Sequence, residues 1–490
     1  MRGFVLVAGV ALAVVCRVLP AAGIDIDEAN SRFWRFDGER LVLIGGSVDD
    51  NLFQIDDLEV HLDELAAVGG NYVRNTMSSR DRDNLWPFKQ GFARDGRAIT
   101  ALSRTAKFRD RLAAWSDNRN AVYPKYDLEQ FNDEYWRRFE ALLRLARERD
   151  IVVQVEIWDR FDYARDPWLR NPFNPDNNVN YTANRSGMLA AYPEHPGRNR
   201  NAFFRSVPSL LHNGLLLAHQ NALLDKLLSI SLRYDNVLYT ISNETNGDEP
   251  WSTYWAGYIR SKADAVGAKV FITEMWDPHD LDHPMHARTF DHPERYDFVE
   301  VSQNNHQVGQ AHWDNLVRVR QRLAGEPRPM NNVKVYGADG GRFESTSEAI
   351  DRFWRSLLGG SAAVRFHRPE QNFGLGLGDE AKRQLQSANA LLEALDLTAL
   401  APQSDVLRQR EDNEAYLTAA IDRQYVVYFP NGGDVVLPVN QPGKFALRWL
   451  RVDATEWRDA APDASATELK LETPSSDERW IAVLTRPADP

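Results

Sequence analysis

The dipeptide Asn243-Glu244 closes an apolar run, "NVLYTISNE", and sets a carboxylate beside an amide where a buried strand gives out. Turns favour Gly, Pro, Asn and Asp, so a Glu at that point suggests chemistry rather than geometry. Other apolar runs end on polar groups too: Asp49 and Asp50, Arg74 and Asn75, Glu156 with Trp158 and Asp159, and Glu274 with Trp276 and Asp277. Further along come Asn304 with His306, Asp339, and Arg365 with His367 and Arg368. Two carboxyls facing one substrate can divide the work of breaking a glycosidic bond. The protonated one supplies a proton to the leaving oxygen, and the ionised one attacks carbon or activates water. Glu244 and Asp339 form such a pair if their strands stand across a common mouth. Asn243 suits a donor to a nearby sugar hydroxyl, and Arg74 can hold a carboxylate ionised. Trp158, Trp276 and Trp313 offer faces for sugar C–H groups, and His306 and His367 complete the expected substrate contacts.

These groups share a mouth only if the strands form one barrel. Eight β-branched or aliphatic runs recur near residues 40, 71, 151, 236, 269, 297, 333 and 362. Between them lie helical periods, such as "DLEQFNDEYWRRFEALLRLARERD" (127–150), with apolar residues three and four apart. "STSEAIDRFWRSLLGG" opens on a Ser345-x-x-Glu348 capping box and closes on Gly359-Gly360, which marks one helix from end to end. Strand–helix alternation over residues 24–400 predicts a (β/α)₈ barrel. A doubly wound open sheet is the competing fold, and it is disfavoured because no strand leads into a G-x-G-x-x-G phosphate loop. Two long connections, 78–126 and 159–203, follow strand ends and are expected to wall the cleft. After a linker at 400–405 the pattern changes to short strands with turns such as Asn431-Gly432-Gly433, which predicts an antiparallel β-sandwich over 406–490.

A net charge of −12 argues against a nucleic-acid partner, whose phosphates would repel it. Arg2, the run "FVLVAGVALAVV" and the small residues before Ile24 have the layout of a signal peptide over 1–23, so a secreted or periplasmic protein is expected. The run is short for a membrane span, and no later stretch approaches ~20 apolar residues. Cys16 raises lipoprotein anchoring as an alternative, which the bulky Val15 disfavours. Cleavage after Gly23 would leave a mature chain without cysteine, and hence without disulfides.

"DPHDLDHPMHARTFDHP" packs His279, His283, His286 and His292 among acids, but the spacing matches no helical zinc pattern. No metal and no cofactor are expected. "NPFNPDNNVNY" (171–181) lacks the ordered spacing of a calcium loop and reads as an Asn-rich lid segment. No G-x-S-x-G elbow for a serine esterase is present.

Asn-Glu ending the fourth strand and Arg ending the second ("GGNYVRN") resemble the pattern of clan A retaining glycoside hydrolases, the cellulase-like and apiosidase-like barrels. "EAYLTAAIDRQYVVYFPNGGDVVLPV" and "FALRWLRVDATEW" are similar to the small collagen-binding-type sandwich that trails such barrels. The resemblance implies a retaining hydrolase of O-glycosidic bonds in a polysaccharide or oligosaccharide, with Glu244 as acid/base and the seventh-strand acid as nucleophile. Two departures stand out. The family carries Glu where this chain has Asp339, one methylene shorter, and its eighth strand ends on Trp where this chain has "RFHRP". A shortened arm could keep the retaining mechanism, convert it to inversion, move the nucleophile to Glu274 or Glu344, or leave a catalytically inactive carbohydrate-binding barrel. Arg365, His367 and Arg368 could meet an acidic sugar such as a uronate.

Overall fold

The computed structural model describes residues 23–81, 84–91, 100–101, 123–197, 200–339, 343–440, 445–464 and 467–486. The expected leader at 1–23 lies outside them except for Gly23.

Eight parallel strands form the barrel: β1 (Leu43–Ser47), β2 (Tyr72–Thr76), β3 (Val152–Asp159), β4 (Val237–Asn243), β5 (Ile272–Thr273), β6 (Val299–Glu300), β7 (Met330–Val335) and β8 (Ala363–His367). Apart from β5 and β6, each is hydrogen-bonded to its neighbours in sequence, and β8 returns to β1 with Ala363 opposite Leu43. The seam between β5 and β6 is not a regular ladder. It is crossed instead by the Asp297 N–H donating to the Ile272 carbonyl at 2.9 Å and the Thr273 hydroxyl donating to the Phe298 carbonyl at 2.7 Å.

A barrel helix follows each strand: α1 (Leu58–Ala67), α2 (Asp133–Arg147), α3 (Gly214–Ser231), α4 (Glu249–Val266), α5 (Pro284–Phe290), α6 (Gly309–Arg322), α7 (Thr346–Leu358) and α8 (Asp379–Ala394), with two short helices, Arg165–Arg170 and Ala183–Ser186, in the connection before α3. Local chemistry sets their starts. The Asn132 side chain accepts the Glu134 N–H at 3.2 Å to begin α2, and the Ser345 hydroxyl accepts the Glu348 N–H at 3.1 Å to begin α7. Glu348 does not complete the reciprocal half of the box, because its carboxylate turns to Arg355.

The barrel interior is polar at mid-height. Gln154 donates to Thr240 Oγ1 at 2.9 Å and to Glu300 Oε2 at 3.0 Å, and Asn331 donates to the Tyr72 hydroxyl at 3.2 Å. These bonds tie five strands together where an apolar filling would fix no particular register. A small antiparallel sheet (Ile24–Ile26, Trp34–Phe36, Glu39–Leu41) closes the bottom. Its Trp34 is fully buried between Phe271 and Phe298 and donates to Asn331 Oδ1 at 3.0 Å.

The chain continues into an antiparallel β-sandwich. A six-stranded sheet built around Gln424–Phe429 and Trp480–Thr485 faces a three-stranded sheet built around Asp434–Pro438 and Glu468–Glu472, over a core that includes Leu417, Phe429, Trp449 and Trp480. It docks on α7 and α8. The Tyr428 hydroxyl and Arg479 Nε both donate to Asp351 Oδ1, at 2.6 and 2.9 Å, and Trp354 packs on Tyr428. Trp313 on α6 lies against Tyr416, so it braces the junction and takes no part in the mouth.

Asp351→Ala removes the shared acceptor of a buried hydroxyl and a half-enclosed guanidinium. It is expected to lower stability by about 2 kcal/mol, read from the urea midpoint at constant slope. A loss below about 0.5 kcal/mol, typical of an exposed pair, would contradict the account of this junction.

Candidate active site

All eight strands point their C-terminal ends into one mouth. Asn243 is the last residue of β4, and Glu244 follows in the left-handed region at φ 47°. A non-glycine residue there is uncommon and marks a position held by its surroundings. The holding group is Lys334 on β7, whose ammonium lies 2.6 Å from Glu244 Oε1 and 2.6 Å from Asn243 Oδ1. Asn243 Oδ1 also accepts from Arg74 at 3.2 Å, and its amide nitrogen donates to Asp159 Oδ1 at 3.1 Å. Burial pushes the Glu244 carboxyl up, but Lys334, with Arg368 and Arg74 behind it, outweighs that and holds it at about 2. Glu244 is therefore ionised, the state of a nucleophile or base rather than of an acid. Its side chain keeps 19% of its surface open to the mouth, whereas the Lys334 side chain keeps 3%.

The floor is built around Asp50, just past β1. Its carboxylate takes Arg74 Nη1 at 2.7 Å, Arg80, Arg368, and His367 Nε2 at 3.2 Å. Burial opposes ionisation of Asp50, but the Arg368, Arg74 and Arg80 guanidiniums together pull it well below the ordinary range. Arg74 spans from Asp50 to Glu156 on β3, and Arg80 from Asp50 to Asp159. His367 is fully buried, which drives its pKa well down and keeps the ring neutral, and its Nδ1 faces Arg365 Nη1 at 3.0 Å. His367 and Arg74 thus act on other side chains of the floor.

The pairing of β4 with β5 continues beyond the regular strands. The Thr245 N–H donates to the Met275 carbonyl at 2.9 Å, and the Asp277 N–H to the Thr245 carbonyl at 3.1 Å. This extension sets Asp277 beside Glu244. Burial and then the Glu244 charge push the Asp277 carboxyl up, against the pull of Asn246, His195 and His279. The two carboxyls are thus shifted in opposite directions, Glu244 down by Lys334 and Asp277 up by burial and the Glu244 charge. His279 and His306 stack face to face next to them, centroids 3.3 Å apart. Tyr336, just past β7, stacks on Phe343 at 4.4 Å, and burial raises its hydroxyl.

Several expected residues sit elsewhere. Asp339 is exposed, four residues beyond the end of β7, and its Oδ1 accepts the Thr346 N–H at 3.0 Å as a cap on α7. Its hydrogen bonds run to that helix rather than to Glu244. Glu344 is exposed, and Glu274 turns outward to α4, accepting from Ser252 and from the Ser242 and Met275 N–H groups at 2.8 and 3.0 Å. Trp158 and Trp276 are corrections: both are 1% exposed and offer no stacking face to a sugar. Trp158 packs on Phe203, Trp251 and Trp255, and Trp276 donates to Thr289 Oγ1 at 2.8 Å beneath Arg288. The histidine-rich loop is divided among tasks. His283 caps α5, His286 is buried against the Pro278 carbonyl at 2.8 Å, and His292 pairs with Glu294. Among the described residues no group of three His, Cys, Asp or Glu stands close enough to hold a metal.

The Asn-rich segment is a knot of side-chain amides. Asn171, Asn174, Asn177 and Asn178 are buried and donate to backbone carbonyls of Asp162, Trp168, Leu169 and Pro172 at 2.8–3.1 Å. Lys334, Arg80 and Tyr336 were not singled out by sequence. The one available signal was Lys334 itself, a lone cation between valines in a strand with both faces covered.

No protein-family model matches the chain, and no curated protein matches it in sequence. Solved structures do match in shape. A glycoside hydrolase family 5 protein from Bacteroides vulgatus superposes with a TM-score of 0.60 at 13% identity, covering 95% of this chain and 94% of that one. A second glycoside hydrolase gives 0.59 at 11% identity, covering 96% and 98%. At these identities the likeness establishes the fold.

Burial pushes the Glu274 carboxyl up to about 7, against the hydrogen bonds from Ser252, Ser242 and Met275. A carboxyl raised in the folded state binds its proton more tightly there than when unfolded. Its contribution to stability is therefore complete below about pH 4.3 and is lost as the pH rises through 7. Glu274→Gln is expected to flatten the fall in urea midpoint between pH 5 and pH 8, and a fall identical to that of the parent chain would contradict this.

Proposed function

We propose that this chain hydrolyses O-glycosidic bonds of a poly- or oligosaccharide with retention, Glu244 acting as nucleophile and Asp277 as proton donor. The observation that carries this reading is electrostatic: Lys334 holds Glu244 as an anion at about 2, while burial and then that anion push the neighbouring Asp277 carboxyl up. In the first step the Glu244 carboxylate bonds to the anomeric carbon, the glycosidic C–O bond breaks, and Asp277 passes its proton to the departing oxygen. In the second, Asp277 takes a proton from water, which releases the sugar from Glu244. Lys334 and Asn243 steady the carboxylate throughout. This assignment exchanges the acid/base role that the resemblance implies for Glu244 and leaves Asp339 as a helix cap. The shape of the barrel, shared with glycoside hydrolases, supports the substrate class. The leader-like residues 1–23 place the activity outside the cytoplasm in this reading, with the 406–490 module as a brace.

A second reading, a carbohydrate-binding barrel without turnover, is favoured by one feature: β7 presents a lysine to Glu244 where the resemblance calls for an acid.

Kinetics on aryl glycosides and plant polysaccharides separate these possibilities. Glu244→Ala is expected to lose on the order of 10³-fold in kcat or more, with azide restoring turnover as a glycosyl azide of inverted configuration. Asp277→Asn is expected to lose as much on polysaccharide, yet far less on aryl glycosides whose leaving group needs no proton. Asp339→Ala is expected to stay within about twofold, since it loses only an exposed cap. Full activity in Glu244→Ala, or collapse in Asp339→Ala with unchanged stability, would overturn the assignment. No turnover by the parent chain on any of these glycosides would favour the binding-only reading.

A further inference from the structure

Arg160 is a charged group near the mouth that the scheme above leaves without a task. It opens the single-turn helix Arg160–Tyr163 directly after β3 and is 2% exposed. Among the described residues its guanidinium donates no hydrogen bond, and its Nε is buried without a partner. Three carboxyls feel its charge, Glu274, Asp248 and Asp277, but each is engaged elsewhere. Glu274 is held by Ser252, Ser242 and Met275, Asp248 by Arg205 at 3.1 Å, and Asp277 by Asn246. Burial accordingly lowers the Arg160 pKa to about 10.

An enclosed guanidinium with five N–H donors and no acceptor is costly, and most proteins pair it. Here the chain makes room for it instead. The plane lies over Phe204 with its carbon 4.1 Å from the ring centroid. On the side of the β4–α4 loop, Nη2 comes so near Gly247 that a Cβ there would fall 2.0 Å from it. Gly247 lies three residues after Glu244, and the same loop bonds to Asp277 through Asn246 and Thr245. The fork therefore lies near Asp277, packed between the Phe204 ring and the backbone of the same β4–α4 loop that carries Glu244.

We propose that Arg160 is a specificity-determining residue that receives the carboxylate of an acidic sugar, making the substrate a uronate-containing glycan. This rests on the glycosidase reading, since it takes the neighbouring Glu244 and Asp277 as the point of cleavage. A planar carboxylate matches the guanidinium fork with two parallel hydrogen bonds, and a neutral hydroxymethyl group at the same sugar carbon leaves the cation as bare as before. A sulfate ester presents the same negative charge with tetrahedral rather than planar oxygens.

The test is calorimetric titration of the full chain with matched methyl glycosides of gluco, galacto and manno configuration. Each is taken as the neutral sugar, the 6-carboxylate and the 6-sulfate. At least one carboxylate is expected to bind tenfold or more tightly than its neutral partner, and Arg160→Gln to abolish that ratio while leaving the neutral sugar's affinity and the urea midpoint near those of the parent. Gly247→Ala, which displaces the fork without removing it, is expected to shrink the same ratio. A parent chain that binds neutral and acidic sugars alike, an Arg160→Gln chain that keeps the preference, or a preference for sulfate over carboxylate would overturn the inference while sparing the glycosidase reading. Binding of no sugar in the panel would overturn both.

Discussion

Lys334 and Glu244 meet at 2.6 Å across the barrel from β7 to β4, and the electrostatics of the mouth follow from that contact. An ammonium and a carboxylate removed from water need further hydrogen bonds as well as each other, because desolvation costs as much as their attraction returns. The extra bonds come from Asn243, whose amide oxygen takes Lys334 and Arg74 together while its nitrogen is spent on Asp159. The left-handed turn at Glu244 is the backbone consequence, since it carries the carboxylate to the lysine as β4 ends. With Glu244 fixed as an anion, burial and then that charge push the Asp277 carboxyl up beside it, so two carboxyls one strand apart are shifted in opposite directions.

Behind this pair the floor carries a second layer of charge that is complete in itself. Asp50 gathers three arginines and a histidine, and Arg74 and Arg80 pass on to Glu156 and Asp159. Such a lattice adds little net stability compared with apolar packing, but it permits few alternative arrangements. It keeps Asn243 and Lys334 in place, and the polar layer of Gln154, Glu300 and Asn331 below holds the strands in register. Arg160 stands outside the lattice, which is why its lack of an acceptor carries meaning.

The barrel was legible because its strands are buried on both faces and read as near-continuous aliphatic runs, and because Ser345 and Gly359 punctuate a helix by local chemistry alone. The polar strand tips were legible for the same reason. What the tips do was not. Glu156 and Asp159 both reach into the mouth although they are three residues apart, so the two-residue alternation of a flat strand fails there, and Trp158 turns behind the sheet. Asp339 falls in a connection whose path depends on which group caps α7. Lys334 needs the opposite strand to give it a purpose, and Arg160 needs the absence of a side chain at Gly247. Each is a tertiary relation, and one-dimensional spacing holds no record of it.

The ionisation of Glu244 can be measured directly. With carbon-13 at the glutamate carboxyls and Glu244→Gln to assign the resonance, its NMR shift can be followed across the pH range in which the chain stays folded. The account predicts a carboxylate throughout, with the midpoint near 2 lying at or below the acid limit of the folded state, and a midpoint that climbs when Lys334 is replaced by Met. A carboxyl titrating between about pH 6 and 7, as a general acid would, in a chain that still carries Lys334, would contradict it.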